Sequence, residues 1–491
     1  MGLYFYKGIE NIFGSKKEQG NESSEENDLK KIQDSFLKVL DNKNVSFLLG
    51  SGCSSYEIDT EAQVNDTEIP EQPVLQDSDN EGQEMQSDSV EEHDTKSNDL
   101  NKETSEEEVQ KVRTQVGIPV MAPLAIEFYQ SDDFKKEKEW LKTKFNIDVT
   151  TEIFKTNLEA FLSTLHSLSF YYSNIISNEE KENSLINIRS KTFDELTNFE
   201  KIEFIILKVR GFLLKKCLNE ENIKSIDKEP SNDYPLVELY KQFYRKLLTR
   251  NPTLPRLSIF TTNYDLYSER AMDLLGIHYV NGFTGGISKF FNPAIFNYAL
   301  AEKMDLSQSK WNVIDNFFYL YKLHGSVNWI EAEAENKLFK VKEIQDPTFD
   351  ILESEESIMI HPTPLKYNAS LGSPYSDLFR EFQKKLMRNN NILVTIGYSF
   401  SDEHINNLIF QAFTIPSFRL IVIGEPKVYN EIGKLLKMND PRIWIIGGSN
   451  NSDLPLHYFK RFVEDIMPDL TAEDLDKKME ATINSLKDLL K

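Results

Sequence analysis

The chain has 491 residues, 40% hydrophobic and 11% aromatic, with a formal net charge of −23. That is enough for two or three domains and a large core, and no run approaches the roughly 18 apolar residues a membrane helix needs. Two cysteines, Cys53 and Cys217, exclude a disulfide framework and a four-thiolate zinc module.

The start, "MGLYFYKGIE", lacks the basic end and apolar core of a signal peptide, and Tyr6 stands where N-myristoylation wants Ser or Thr. A cytoplasmic protein without a membrane segment is the expectation. Residues 1–40 read as an N-terminal helical segment: "NDLKKIQDSFLKVLDN" puts Leu29, Ile32, Phe36, Val39 and Leu40 on one face. A buried strand follows at 45–49 and stops at "GSGCS", the order strand, glycine turn, helix start. Residues 57–108 carry 19 Asp and Glu against Lys96 and Lys102, which leaves −6 for the rest. The overall sign disfavours direct nucleic-acid binding, although its concentration in one tract weakens that argument. The tract is rich in Ser, Asn, Gln and Glu. It lacks the apolar surface to offset its ordering entropy, so it reads as a disordered acidic insertion that like charge keeps extended. On this reading, residues 41–56 and 109–130 form the first part of one α/β domain.

"VGIPVMAPLAIEFYQ" is a turn at Gly117, Pro119 and Pro123, then a helix. Residues 131–250 keep helical spacing in "NLEAFLSTLHSLSFYYSNII", "FDELTNFEKIEFIILKVRGFLLKKCL" and "YPLVELYKQFYRKLLT", and read as a helical subdomain. Strands return in residues 251–470: "LSIFTTNYD", "FYLYKLHGSVNW", "SIMIHPTP", "NILVTIGYSFS", "FRLIVIGEP" and "RIWIIGGS". Residues 471–491 read as a C-terminal helix. Short apolar strands separated by helical stretches predict a doubly wound parallel sheet. Ligands bind at the carboxyl ends of such strands, where these place their polar clusters.

Gly50, Ser51, Gly52 and Ser54 suit a pyrophosphate approached by backbone N–H groups, or equally a tight turn. The loop lacks a complete GxGxxG, so an ordinary dehydrogenase is not supported. Asn263 and Asp265 end the next strand and suit ribose hydroxyls, while Asp265 also suits a helix cap. His324 beside Gly325 suits a general base or a structural role. Gly397 and Ser399 end another strand. Ser401, Asp402 and Glu403 suit the first turn of the helix that follows.

Together these strand ends resemble the sirtuin family, over residues 44–54, 117–165 and 257–425. The family's GAGxS loop matches residues 50–54, with Ser51 in place of Ala. Its asparagine–aspartate motif matches Asn263 and Asp265, its HG motif His324 and Gly325, and its later Gly-Ser end Gly397 and Ser399. "NLEAFLSTL", "HPTPLKYNASLGSPYSDLFREF" and "GYSFSDEHINNLI" are similar to the bacterial sirtuin-like branch. The resemblance implies a Rossmann-like NAD-binding domain, interrupted by the helical subdomain and the acidic insertion.

This chain cannot build the cysteine zinc module of the deacetylating members, so the resemblance implies the fold's other activity, cleavage of NAD as substrate, with no metal. It assigns the pyrophosphate to the loop 50–54, the water or ribose to Asn263, and the nicotinamide end to Asp265. The base is then His324, the floor Gly397 and Ser399, and the adenosine ribose falls to Gly424 and Glu425, where a surface turn is an equal reading. Several bacterial antiphage systems deplete NAD with such domains. About 40 residues follow Asn450, fewer than the sensor domain of the Thoeris effector. The resemblance therefore points to the sirtuin-like subunit paired with a HerA-type hexameric ATPase, acting as a homo-oligomer. The alternatives are an ADP-ribosyl or deacyl transferase and a non-catalytic NAD-binding scaffold.

Overall fold

A computed structural model describes residues 2–13, 22–61, 111–218, 235–303, 311–332, 340–349, 357–359, 373–449 and 454–468 of the protein. The expected C-terminal helix, most of the acidic insertion and the stretch "HPTPLKYNASLG" lie outside the described residues. The chain divides into two compact units, residues 1–56 with 115–491, and residues 57–114. The described parts of the second belong to the paired strands Ser55–Glu61 and Lys111–Gly117.

The first unit is built on a nine-stranded sheet. Its strands are β1 (Tyr4–Lys7), β2 (Glu10–Asn11), β3 (Asn44–Leu49), β4 (Ser258–Thr261), β5 (His278–Val280), β6 (Phe317–Lys322), β7 (Asn391–Ile396), β8 (Arg419–Ile423) and β9 (Ile443–Gly447). They lie in the order β2-β1-β9-β8-β7-β3-β4-β6-β5. From β9 to β5 every pairing is parallel. The fold is therefore α/β with a Rossmann-like parallel sheet. Interior strands covered on both faces read as unbroken apolar runs, and Phe47, Leu48, Leu49, Ile392 to Val394 and Leu420 to Ile423 are indeed buried.

Two elements depart from the expectation. The segment before the first helix is a hairpin, whose strand β1 adds antiparallel to β9 with Tyr4 opposite Gly447. "YFYK" is rich in strand-forming aromatics, but four residues are too few to show a period. The Phe5 and Trp444 rings meet at 5.4 Å across the pair. The stretch "SIM" forms strand Ser357–Met359, which pairs antiparallel with strand Gly325–Glu331 in a separate five-stranded sheet. Gly325, at φ +88°, turns the chain out of β6 into that sheet.

Helix α1 (Glu22–Leu40) buries Ile32, Phe36, Val39 and Leu40, with Phe36 edge-on to Phe462 at 5.3 Å. Its apolar face is thus filled by the protein's own core. Helices α2 (Met121–Gln130), α3 (Lys135–Phe145), α4 (Leu158–Ser173), α5 (Asn178–Ser190) and α6 (Asn198–Leu218) follow. Phe128, Phe134, Phe161, Leu165, Ile202 and Val209 from this group form a core of their own. Helix α7 (Pro235–Leu248), read above with the helical subdomain, lies against the sheet, where Phe243 meets Phe47 at 5.7 Å. Helices α8 (Tyr267–Leu274), α9 (Tyr375–Leu386), α10 (Glu403–Ala412) and α11 (Glu431–Lys437) complete the α/β alternation. Among the described residues no helix is long and apolar enough to cross a membrane.

Candidate active site at the carboxyl edge of the sheet

Four neighbouring strands, β7, β3, β4 and β6, end side by side, and the residues singled out in the sequence follow them. After β3 the chain makes one turn of 3-10 helix, Ser51–Cys53, and enters strand Ser55–Glu61. The helix expected directly after the glycine turn instead begins at Met121. The reason is the insertion: Ile118 N–H donates to Ser54 O at 2.8 Å, so the chain resumes where it left off. Gly117, at φ +87°, makes this join, because a Cβ there would lie 2.3 Å from Ser54 O.

The glycines of the loop serve a close approach between two chain segments. Gly50 N–H donates to Ile396 O at 2.9 Å and Gly52 N–H to Gly397 O at 3.0 Å. A Cβ on Gly50 would lie 2.4 Å from Gly397 O, and one on Gly52 2.8 Å from Gly397 Cα. Cys53 N–H and Ser54 N–H donate to Gly50 O and Ser51 O. The amides of Gly50, Gly52, Cys53 and Ser54 therefore already serve protein carbonyls, and Ser51 is the loop residue that is exposed. A cradle made of successive loop amides is thus narrower than the sequence suggested. Burial pushes the Cys53 thiol well above its ordinary range and that of Cys217 up to about 12, so neither is a ready nucleophile.

Asn263 is tied to this loop. Its Nδ2 donates to Gly50 O at 2.9 Å, its N–H to Thr261 Oγ1 at 3.0 Å, and Thr261 Oγ1 in turn to Leu49 O at 3.0 Å. The side chain is 7% exposed, so its position is set by the sheet edge. Asp265 accepts Ser54 Oγ at 2.6 Å and the Tyr267 N–H at 3.1 Å. The second bond is a turn just before the helix rather than the expected cap, since the N-cap position is Leu266 and carries no side-chain capping bond, and the first links Asp265 to the loop. Buried Lys322, absent from the sequence reading, braces this corner. Its Nζ donates to the Asp265 carbonyl and to Ser326 Oγ and pairs with Glu269 at 3.1 Å.

His324 follows β6, next to β4. Leu323 N–H donates to Thr261 O at 2.8 Å, which sets His324 beside the chain that carries Asn263. The imidazole is 5% exposed. Its Nε2 lies 3.3 Å from His404 Nε2 and 3.8 Å from Asp402 Oδ1. Both partners were missed as site groups. They lie some 80 residues away and read as the first turn of a helix; only their place in "GYSFSDEH", beside the Gly-Ser end, was a signal. Asp402 is the residue preceding α10, where its side chain makes no capping bond.

The turn between β7 and α10 is held in unusual backbone. Gly397 lies at φ +62° and the buried Phe400 at φ +60°, rare for a bulky residue. Asn406 holds the turn, donating to Phe400 O at 2.7 Å and accepting Tyr398 OH at 3.1 Å. Ser399 is exposed, its Oγ 3.0 Å from Ser401 Oγ. Gly424 and Glu425 end β8, on the far side of β7 from Asn263. Gly424 O accepts Tyr4 OH at 3.0 Å, and Glu425 pairs with Lys427 at 2.8 Å.

In open α/β sheets ligands bind at the carboxyl ends of the strands, which is where this polar edge lies. Residues 257–425 match the SIR2-like domain, which supports a sirtuin-like family for this chain and implies binding or use of NAD. No curated protein matches the chain.

Proposed function

We propose that the protein is an NAD glycohydrolase, cleaving NAD to nicotinamide and ADP-ribose. The observation that carries this reading is the placement of Asn263 and His324 just after adjacent strands, with Asn263 tied directly to the glycine loop. The SIR2-like match supplies NAD as the ligand class. In hydrolysis the C1′–nitrogen bond breaks with its electron pair leaving on nicotinamide, which departs neutral. A water oxygen bonds to C1′, and its proton passes to the His324 imidazole. Asn263 holds the water or the ribose, since its amide offers both donor and acceptor. Asp265 stands behind the nicotinamide end, the loop 50–54 takes the pyrophosphate with Ser51 as its exposed residue and Ser54 bonded to Asp265, and Ser399 with Gly397 forms the floor. Gly424 and Glu425 take the adenosine side. A bound water in near-attack geometry replaces a bimolecular encounter, and a positioned base typically adds about 10²–10⁴-fold.

The resemblance to defence-associated sirtuin-like subunits supports a further reading: the protein works as a homo-oligomer with a HerA-type ATPase and depletes NAD on phage infection. The face of α1 that carries Phe36 and Leu40 is filled from within, which favours an assembly contact elsewhere. The test is incubation of the pure protein with NAD, alone and with the ATPase and DNA, followed by product analysis and light scattering. Equal yields of nicotinamide and ADP-ribose without any protein acceptor support hydrolysis. Nicotinamide release that requires an acceptor would make the protein a transferase, and NAD left intact throughout would make it a scaffold.

A further inference from the structure

We propose that His324, Asp402 and His404 form a site for a divalent transition-metal ion of the zinc class. The three residues each present one ligand atom, and these atoms all lie within 4.8 Å of one another. Metal bonds of about 2.0–2.2 Å to imidazole nitrogen and carboxylate oxygen put two ligands of a tetrahedral ion roughly 3.4 Å apart. The two Nε2 atoms are already at 3.3 Å. Asp402 Oδ1 lies 3.8 Å from His324 Nε2, and the widest separation in the trio is no more than 4.8 Å, so the carboxylate must move inward to complete the set.

The ligand chemistry narrows the ion. Two imidazoles and one carboxylate suit Zn²⁺, Co²⁺, Ni²⁺ or Fe²⁺ and not Mg²⁺ or Ca²⁺, which prefer an all-oxygen shell. Three protein ligands leave a fourth position open, as in zinc sites that exchange water or substrate. The rings are held in place: Phe379 stands edge-on to His404 at 5.1 Å, and His324 is almost wholly enclosed. The first turn of α10 carries the positive end of a helix dipole, which disfavours a cation; Asp402 and Glu403 oppose that potential. Two neutral imidazole nitrogens this close require either a proton or a cation between them. The carboxylate within reach supplies the third ligand that a metal cation, unlike a shared proton, requires.

The consequence rests on the glycohydrolase reading. A neutral imidazole has one lone-pair nitrogen. Coordination through Nε2 uses that lone pair and leaves Nδ1 protonated, so His324 can no longer accept a proton from water. An occupied site therefore means a silent enzyme, and metal release restores it.

The test uses the full-length protein, stripped with chelator and titrated with Co²⁺ while the visible d–d absorption is recorded. The expected result is a four-coordinate spectrum that saturates at one equivalent and is displaced by Zn²⁺. Asp402→Asn, His404→Gln and His324→Gln should each weaken Co²⁺ binding by about tenfold or more, the scale by which even outer partners of a metal site alter affinity. Circular dichroism checks each variant's fold. Absence of the band in wild type, or a band that survives all three substitutions, overturns the site and leaves a proton-sharing histidine pair. In a separate arm, stoichiometric Zn²⁺ should stop NAD cleavage by the wild type and chelator should restore it. Unchanged cleavage in the presence of bound Zn²⁺ overturns the silencing. A saturable Co²⁺ band with no NAD cleavage in either state supports the metal site and overturns the glycohydrolase reading alone.

Discussion

Replacing Gly50 by Ala tests whether the glycine loop owes its shape to packing against the Gly397 turn. The added Cβ would lie 2.4 Å from Gly397 O and 2.6 Å from Tyr398 Cα, both backbone atoms that no side-chain rotation can move. Ordinary contacts lie at about 3.5–4.0 Å, so the segments must part by roughly 1 Å. That strains the bonds from Gly50 N–H to Ile396 O and from Gly52 N–H to Gly397 O, and shifts the carbonyl that holds Asn263. Overpacking of this kind costs about 1–3 kcal/mol. Unfolding entropy of about 2.1 cal/mol/K per residue makes 1 kcal/mol worth only about 1 °C in a unit of roughly 430 residues. Catalysis is the more sensitive readout, because a displacement of about 1 Å can cost about 10²-fold in rate. The expected outcome is a melting point within about 3 °C of wild type and NAD cleavage down about 100-fold. Gly211→Ala is the control. Gly211 lies inside α6 with nothing within 4 Å of its would-be Cβ, so the change should stabilise by about 0.8–1 kcal/mol without touching activity. Cleavage by Gly50→Ala within about threefold of wild type would refute the packing argument, since the loss expected of such a displacement is about 10²-fold.

Asn263→Ala removes the amide that anchors the loop and that the proposed mechanism turns toward the reacting sugar; cleavage should fall by at least about 10²-fold with the far-ultraviolet spectrum unchanged, and near-normal turnover would remove Asn263 from the mechanism. Phe36→Ala should cost about 3–5 kcal/mol by chemical denaturation and leave the oligomeric state alone, because the ring packs on Phe462 in the protein's own core. Dissociation without loss of stability would instead place that ring in an assembly contact. Burial lowers Lys385 to about 8 in the folded protein. The unfolded lysine, near 10.5, therefore binds the extra proton between those values, so this group's contribution to stability rises with pH through that window. Lys385→Met should flatten the rise, read from denaturation midpoints at either end of the window, and an identical pH profile would contradict the burial argument.

The parallel core was legible because its strands are buried on both faces, and runs such as "SFLL", "NILVTI" and "RLIVI" say so without any period to decode. The N-terminal hairpin was not, because β1 owes its place to Trp444 and Gly447 at the far end of the chain. The same holds at the site. Asn263, Asp265 and His324 were visible as polar residues directly after apolar strands. His404 was hidden, because a histidine in the first turn of a helix has no local mark of a tertiary partner some 80 residues away. The glycine loop was recognised, but its amides turned out to face neighbouring carbonyls, which only the pairing of β3 with β7 reveals. Lys322 carries no mark in the sequence, and only the fold shows it enclosed with Glu269.

The central claim is that water cleaves NAD at a site made by Asn263 and His324. It is tested most directly by incubating the metal-free protein with NAD in ¹⁸O-labelled water, with and without the ATPase, and analysing the products by mass spectrometry. The account predicts one labelled oxygen in each ADP-ribose, nicotinamide in equal amount, and neither product from folded His324→Ala. Nicotinamide without label in the ADP-ribose, or turnover by His324→Ala equal to wild type, would contradict it.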